Sequence, residues 1–137
     1  MGFHIYPIQV YYEDTDHSGV VYHANYLKYF ERAREHMLGI DSLVDLYRNH
    51  KIGFVVYKAD LTYFKGAQFG DSLEIHSCVS AQSPYRLSFS QNAFLASSDK
   101  PLVKGTIQLA CVQEHNLIKI PTMVLEAMKH SHFLEDK

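Results

Sequence analysis

The sequence predicts an α+β domain in which one long central helix is wrapped by an antiparallel sheet. Three observations support this: a single long helical pattern near the amino end, long β-type segments grouped after the helices, and short turn-like connections between those segments. Strands joined by short connections pair antiparallel, because parallel strands need long crossovers. The length of 137 residues favours one domain that spans residues 1–137.

Each element follows from a local pattern. Apolar residues at helical spacing, among them Leu27 and Phe30, predict the long helix, and Gly39 is placed to cap its carboxyl end. Pro121 favours the start of a last helix. The predicted helices are 24–38, 41–48 and 121–130. The predicted strands are 5–12, 53–65, 72–81, 85–95 and 102–113, the last four arranged as a meander, with a turn at 114–119.

Composition argues against several classes of protein. Apolar residues make up 47%, charged residues 20%, and the net charge is −2 without a block of Lys or Arg. Binding of nucleic acid through its phosphates needs such a block and is not expected. No apolar run reaches the length of a membrane span, and the first residues lack a signal-peptide pattern. Cys78 and Cys111 lie in apolar segments and are expected as buried thiols, which suits the cytoplasm.

A cluster of carboxylates, Glu13, Asp14 and Asp16, lies directly before the long helix. The first N–H groups of a helix are free and carry partial positive charge. They could stabilise an oxyanion while Asp16 acts beside them. Asp in loops more commonly shapes a turn or caps a helix, and the residues alone leave that alternative open.

Gly19 and His23 complete the candidate site. Gly19 allows a tight turn and close approach of a ligand, or is an ordinary loop residue. The His23 side chain could act as acid or base, but its backbone N–H, where free helical N–H groups are expected, is the better candidate. No metal site is expected, because His17, Asp16 and their neighbours lack metal-ligand spacing. No nucleophile-elbow motif is present either.

Residues 11–34, YYEDTDHSGVVYHANYLKYFERAR, resemble the signature of hotdog-fold acyl-CoA thioesterases. The likeness is to the 4-hydroxybenzoyl-CoA thioesterase family, in its bacterial branch associated with the Tol–Pal system. The later segments FKGAQFGDSLEI and LIKIP also fit that branch. The resemblance implies a sheet of about five strands, continued across a homodimer and often assembled into a homotetramer. It also implies Asp16 as the catalytic carboxylate, the backbone N–H at His23 as oxyanion donor, and Gly19 as the glycine of the active-site turn.

The resemblance further implies that coenzyme A is bound as part of the substrate, so no separate cofactor is expected. Lys58, Lys65 and Arg86 are candidates for its phosphates on the basis of charge alone. An acyl carrier protein stays open as an alternative carrier of the acyl group. Gly66 and Ala67 stand where a Pro often follows the Phe-Lys pair in the family, which leaves the shape of that turn open.

The expected reaction is hydrolysis of an acyl thioester to a carboxylate and free coenzyme A. Asp16 would serve as nucleophile, with an anhydride intermediate, or as general base for a water. The alternative from another class is a non-catalytic acyl-CoA-binding or scaffold protein with the same fold. The sequence leaves the acyl group open, since its Tyr and Phe residues also suit a core.

Overall fold

The computed structural model describes residues 2–130 and 134–135. The helices are α1 (Asn25–Leu38), α2 (Ile40–His50) and α3 (Thr122–His130). The strands are β1 (His4–Gln9), β2 (Ile52–Tyr63), β3 (Ser72–Ser83), β4 (Arg86–Leu95), β5 (Pro101–Gln113), β6 (Asn116–Ile118) and β7 (Leu134–Glu135). The predicted α+β class is confirmed, and a hairpin strand, β6, forms inside the segment predicted as a turn.

The sheet has the strand order β1-β3-β4-β5-β2, and these five strands pair antiparallel. Short β6 pairs with β5, and β7 pairs with β3 in parallel. The expected meander is correct only for β3, β4 and β5. The chain crosses from β2 at one edge to β3 near the other, so these consecutive strands are not neighbours. Local pattern cannot show this, because strand pairing depends on residues far apart in sequence.

Helix α1 packs against the sheet and contributes its buried face to the hydrophobic core. Its boundaries agree with the prediction to one residue, and Gly39 follows it with a φ of +93°. Leu27 belongs to the apolar residues at helical spacing, which are expected to face the core, yet it is 41% exposed, because the buried stripe runs along the neighbouring row of the helix. The residues of that stripe are Tyr26, Tyr29, Phe30, Ala33, Arg34 and Met37.

A polar network lies within this core. The Arg34 guanidinium donates to Gln91 Oε1 over 2.9 Å. The Gln91 amide nitrogen donates to the Phe30 carbonyl at 2.9 Å and to Ser77 Oγ at 3.0 Å. Burial lowers the pKa of Arg34 below its ordinary value. Because Gln91 and Ser77 are fully buried, each polar group here needs its partner.

Strand β2 forms one edge of the sheet. It pairs with β5 along its length and with no other strand in the part of the chain that the structure describes. Its side chains include the exposed Val55, Val56, Tyr57 and Tyr63. A long, apolar edge strand is a template for pairing with another chain.

Among the described helices, none has both the length and the apolar character needed to cross a membrane.

Candidate active site

The turn that carries Asp16 begins where the chain leaves β1. A 3₁₀ turn covers Tyr12–Asp14, and Thr15 then pairs with Val21 as an isolated bridge. The Asp16 N–H donates to the Val20 carbonyl at 2.8 Å, and the Gly19 N–H donates to the Asp16 carbonyl at 3.0 Å. Asp16 is therefore the first residue of a tight turn that Gly19 closes.

Two glycines shape this region for different reasons. Gly19 has a φ of +82°, and a Cβ there would meet nothing within 4 Å, so its backbone conformation and not crowding favours Gly. Gly66 is crowded instead: a Cβ there would lie 2.8 Å from Val20 Cγ1. Gly66 thus lets the loop after β2 lie directly against the Asp16 turn. Gly19 itself does not line the pocket described next.

Asp16 is half-buried and lines a pocket of about 310 Å³ at the start of α1. Its Oδ1 accepts the Ser18 N–H at 2.8 Å, so Asp16 does shape the turn, as the simpler interpretation held. Its other oxygen accepts no hydrogen bond from the described residues, and the side chain also lines the pocket. The remaining lining residues are Val20, Val21, His23, Tyr26, Tyr63, Phe64, Lys65 and Gly66.

His23 lies on the same pocket, one residue before the N-cap of α1, Ala24. Two nearby amides are paired: the Tyr22 N–H donates to the Asp14 carbonyl at 2.9 Å, and the Asn25 N–H donates to the Tyr22 carbonyl at 2.8 Å. The His23 N–H has no acceptor among the residues that the structure describes. The Ala24 N–H likewise has no acceptor among the described residues, but of these two residues only His23 lines the pocket. That the His23 N–H acts as the oxyanion donor stays a prediction, and the exposed imidazole packs against Tyr22 with the ring centroids 4.5 Å apart.

Tyr63, at the end of β2, is a site residue that the sequence did not indicate. Its hydroxyl donates to the His23 carbonyl at 2.8 Å, and its ring packs edge-on against His23 and Tyr26. Burial raises the pKa of the Tyr63 hydroxyl above its ordinary value, so it stays protonated and able to donate. Only its place in a β-type segment was visible in the sequence, because its partner is 40 residues away.

Asp14 is also part of this structure, behind the pocket. Its carboxylate is buried, with 8% exposure. One oxygen, Oδ2, accepts the Tyr11 N–H at 2.8 Å, and Oδ1 accepts the Asn25 side-chain amide at 2.9 Å. Burial raises the pKa of the nearby Tyr29 hydroxyl, and the negative charge of Asp14 raises it further. Asp14 therefore binds the turn to the first residue of α1.

The three candidate phosphate ligands are not brought together. Lys65 lines the Asp16 pocket. Lys58 lies five residues before Tyr63 on β2, about 16 Å along the strand. Arg86 begins β4, with its guanidinium 5.0 Å from the centroid of the Tyr57 ring. Lys58 and Arg86 therefore lie outside this pocket of the single chain.

The candidate metal ligands are similarly dispersed. Within the ranges that the structure describes, no group of three His, Cys, Asp or Glu side chains is arranged to hold a metal ion. That no metal takes part stays a prediction.

What the arrangement offers chemically is a carboxylate and a free amide donor on one pocket at a helix N-terminus, where negative charge is favoured.

Comparison with known protein families gives a match over most of the chain. Residues 10–128 match the model of the family described as the thioesterase-like superfamily. The match includes the Asp16 turn, α1 and the central strands.

Individual proteins agree with this match. The chain is 35% identical over 129 residues to an acyl-CoA thioesterase, YbgC, of Haemophilus influenzae, covering 91% of this chain and 93% of the relative. A probable thioesterase from Bartonella henselae is 32% identical, with a TM-score of 0.75 and coverage of 88% of this chain and 100% of the other. A 1,4-dihydroxy-2-naphthoyl-CoA thioesterase from Synechocystis is 24% identical, with a TM-score of 0.85 and coverage of 93% and 96%. At 24% identity, the likeness to the Synechocystis protein shows a shared fold and nothing about the reaction.

Proposed function

Because this chain belongs to the thioesterase-like superfamily, we propose that it is an acyl-CoA thioesterase whose reaction centre is formed by Asp16 and the His23 N–H. It hydrolyses an acyl thioester to a carboxylate and free coenzyme A. The observation that carries the assignment of the centre is that Asp16 and His23, with its unpaired amide, line one pocket at the start of α1.

The His23 N–H stabilises the substrate carbonyl oxygen as it gains negative charge. The partial positive charge at the N-terminus of α1 acts in the same direction. A preorganised donor of this kind contributes roughly 2.7–4 kcal/mol to lowering the barrier. The Tyr63 hydroxyl donates to the His23 carbonyl and so holds the following peptide, between His23 and Ala24, which restrains the backbone on the carboxyl side of the donor.

Asp16 supplies the second part of the reaction. As nucleophile, its free carboxylate oxygen attacks the carbonyl carbon, the C–S bond breaks, and coenzyme A leaves as a thiolate; water then hydrolyses the resulting anhydride and regenerates Asp16. As general base, Asp16 takes a proton from a water that attacks the same carbon. Single turnover in ¹⁸O-water distinguishes them, because only the nucleophilic route places label in the Asp16 carboxylate.

Coenzyme A enters as part of the substrate, and no separate cofactor is invoked. Lys65, on the pocket wall, is the best placed of the charged candidates for a phosphate contact. Lys58 and Arg86 lie farther along the sheet and would contribute only to a site that extends beyond this pocket. An acyl carrier protein is a second carrier for the acyl group that the enzyme could accept.

The protein acts as a homodimer joined at β2, and the dimers pair into a homotetramer. Among the described strands β2 pairs only with β5, and its exposed apolar residues Val55, Val56 and Tyr57 support the dimer. The signature at 11–34 supports the finer placement in the 4-hydroxybenzoyl-CoA thioesterase family and its Tol–Pal-associated branch, as a cytoplasmic enzyme. Assembly is tested by sedimentation, and location by fractionation of cells.

A panel of short-chain, long-chain and aromatic acyl-CoAs tests the proposed activity, with release of the free thiol as the readout. We expect turnover of at least one class. If none is hydrolysed although the protein binds coenzyme A, the activity is refuted, and the protein is a binding module with the same fold. The panel also identifies the acyl group, which the aromatic walls of the pocket do not define.

A further inference from the structure

Asp14 makes contacts that the proposed chemistry does not use. Its carboxylate is nearly fully buried, and none of the described Lys, Arg or His residues forms an ion pair with it. A buried charge without a partner of opposite sign is costly unless hydrogen bonds satisfy it. Here the Tyr11 N–H and the Asn25 side-chain amide provide those bonds.

These bonds reach both ends of the segment that forms the site. Tyr11 precedes the 3₁₀ turn, and Asn25 is the first residue of α1. A third bond comes from the backbone, since the Asp14 carbonyl accepts the Tyr22 N–H at 2.9 Å. Asp14, which makes these three contacts, lies two residues before Asp16. Tyr22, whose N–H it accepts, lies one residue before His23.

We infer that Asp14 is a positioning residue which, through Asn25 and the Tyr22 amide, sets the distance between Asp16 and the His23 N–H. The inference rests on the proposed function of those two groups. Asp14 itself does not line the pocket. Reaction rates depend steeply on such distances, and a displacement of about 1 Å can cost about 100-fold.

The donor and acceptor pattern explains why each residue type is needed. Asp14 offers acceptors only, to one backbone donor and one side-chain donor. In Asp14→Asn, an amide at position 14 keeps one acceptor for Tyr11 and turns a donor towards the donor of Asn25. In Asn25→Asp, two carboxylates face each other in a buried place. Combining the substitutions restores one donor opposite one acceptor.

The test compares Asp14→Asn, Asn25→Asp and the double variant with the wild type. We expect each single variant to lose at least about tenfold in kcat with KM changed less than about twofold, and the double variant to recover most of the loss. A merely structural role would lower the melting temperature of the single variants without this split between kcat and KM. Glu13→Gln, which neutralises the exposed neighbouring carboxylate, serves as the matched control and keeps wild-type kcat.

Hydrogen exchange of the Tyr22 amide gives a readout that needs no activity. We expect exchange to be faster in each single variant and slow again in the double variant. The substitutions weaken the side-chain bonds that fix the backbone at Asp14, and the Asp14 carbonyl is the acceptor of the Tyr22 amide. Unchanged exchange and kcat in the single variants, or a double variant no better than the worse single one, overturns the inference. A wild type that hydrolyses no substrate refutes the proposed function instead, and the exchange data still decide whether Asp14 holds the turn.

Discussion

The Tyr63 hydroxyl on β2 donates to the carbonyl of His23 over 2.8 Å, so an edge strand holds the backbone directly after the proposed oxyanion donor, the His23 N–H. Removing this hydroxyl in Tyr63→Phe leaves the ring contacts in place. One hydrogen bond contributes about 1 ± 0.5 kcal/mol, and we expect kcat to fall about 3- to 10-fold with a smaller change in KM. Tyr47→Phe, which removes an exposed hydroxyl on α2, is the control. An unchanged kcat for Tyr63→Phe contradicts the role given to this bond.

Asp16→Asn should abolish most activity without unfolding the protein. The amide oxygen of Asn can still accept the Ser18 N–H, so the turn is retained, but Asn is neither a nucleophile nor a base. We expect kcat to fall at least about 100-fold, with a melting temperature close to that of the wild type. Asp99→Asn, in the exposed loop before β5, controls for loss of one negative charge. Wild-type turnover by purified Asp16→Asn would remove Asp16 from the mechanism.

Gln91→Leu should destabilise the core strongly. The substitution removes the acceptor of the Arg34 guanidinium and the donor to the Phe30 carbonyl, and leaves a buried charge without its partner. Loss of a buried hydrogen bond to a charged group costs about 1.5–3 kcal/mol, which urea unfolding would measure. Gln108→Leu, on the neighbouring strand, should cost far less because none of the described groups bonds to its side chain. If Arg34→Met combined with Gln91→Leu is no more stable than Gln91→Leu, the network is not the cause.

Alkaline pH should weaken the fold through Cys111. Burial raises the pKa of this thiol to about 11, from an ordinary value of 9.0. The native state thus keeps a proton that the unfolded chain loses, so the stabilisation is complete below about pH 9 and declines as the pH rises towards 11. Urea unfolding at several pH values should show a flatter decline for Cys111→Ala than for the wild type. Equal slopes would mean that other groups, such as the buried tyrosines, account for the whole effect.

A positive charge on the β2 edge should separate the proposed dimer. In Val55→Lys, a charge replaces one residue of the exposed apolar run 55–57 on this edge, and charged residues protect edges from pairing. Sedimentation should show a shift from dimer to monomer, whereas Val44→Lys on the exposed side of α2 should sediment as the wild type does. A wild type that sediments as a monomer would refute the dimer altogether.

The sequence predicted those features that depend on nearby residues. The boundaries of α1, the long strands and the position of Asp16 before a helix all follow from local periodicity and turn chemistry. What the sequence did not show depends on distant partners: Arg34 is buried because Gln91, 57 residues away, accepts its hydrogen bond. The same holds for Tyr63 and for β2 as an edge strand. Leu27 was placed wrongly because two adjacent rows of α1 are both apolar, and only the sheet determines which is covered.

Strand β2 forms one edge of the sheet and also carries the hydroxyl that donates to the His23 carbonyl. A change in the order of this strand therefore changes how firmly the Tyr63 hydroxyl holds the backbone at His23. For a dimer formed on this edge, specific activity would not be constant: it would decline on dilution as the subunits separate and β2 loses its second neighbour. An assay run at nanomolar enzyme and one run at micromolar enzyme would then report different turnover numbers for the same preparation.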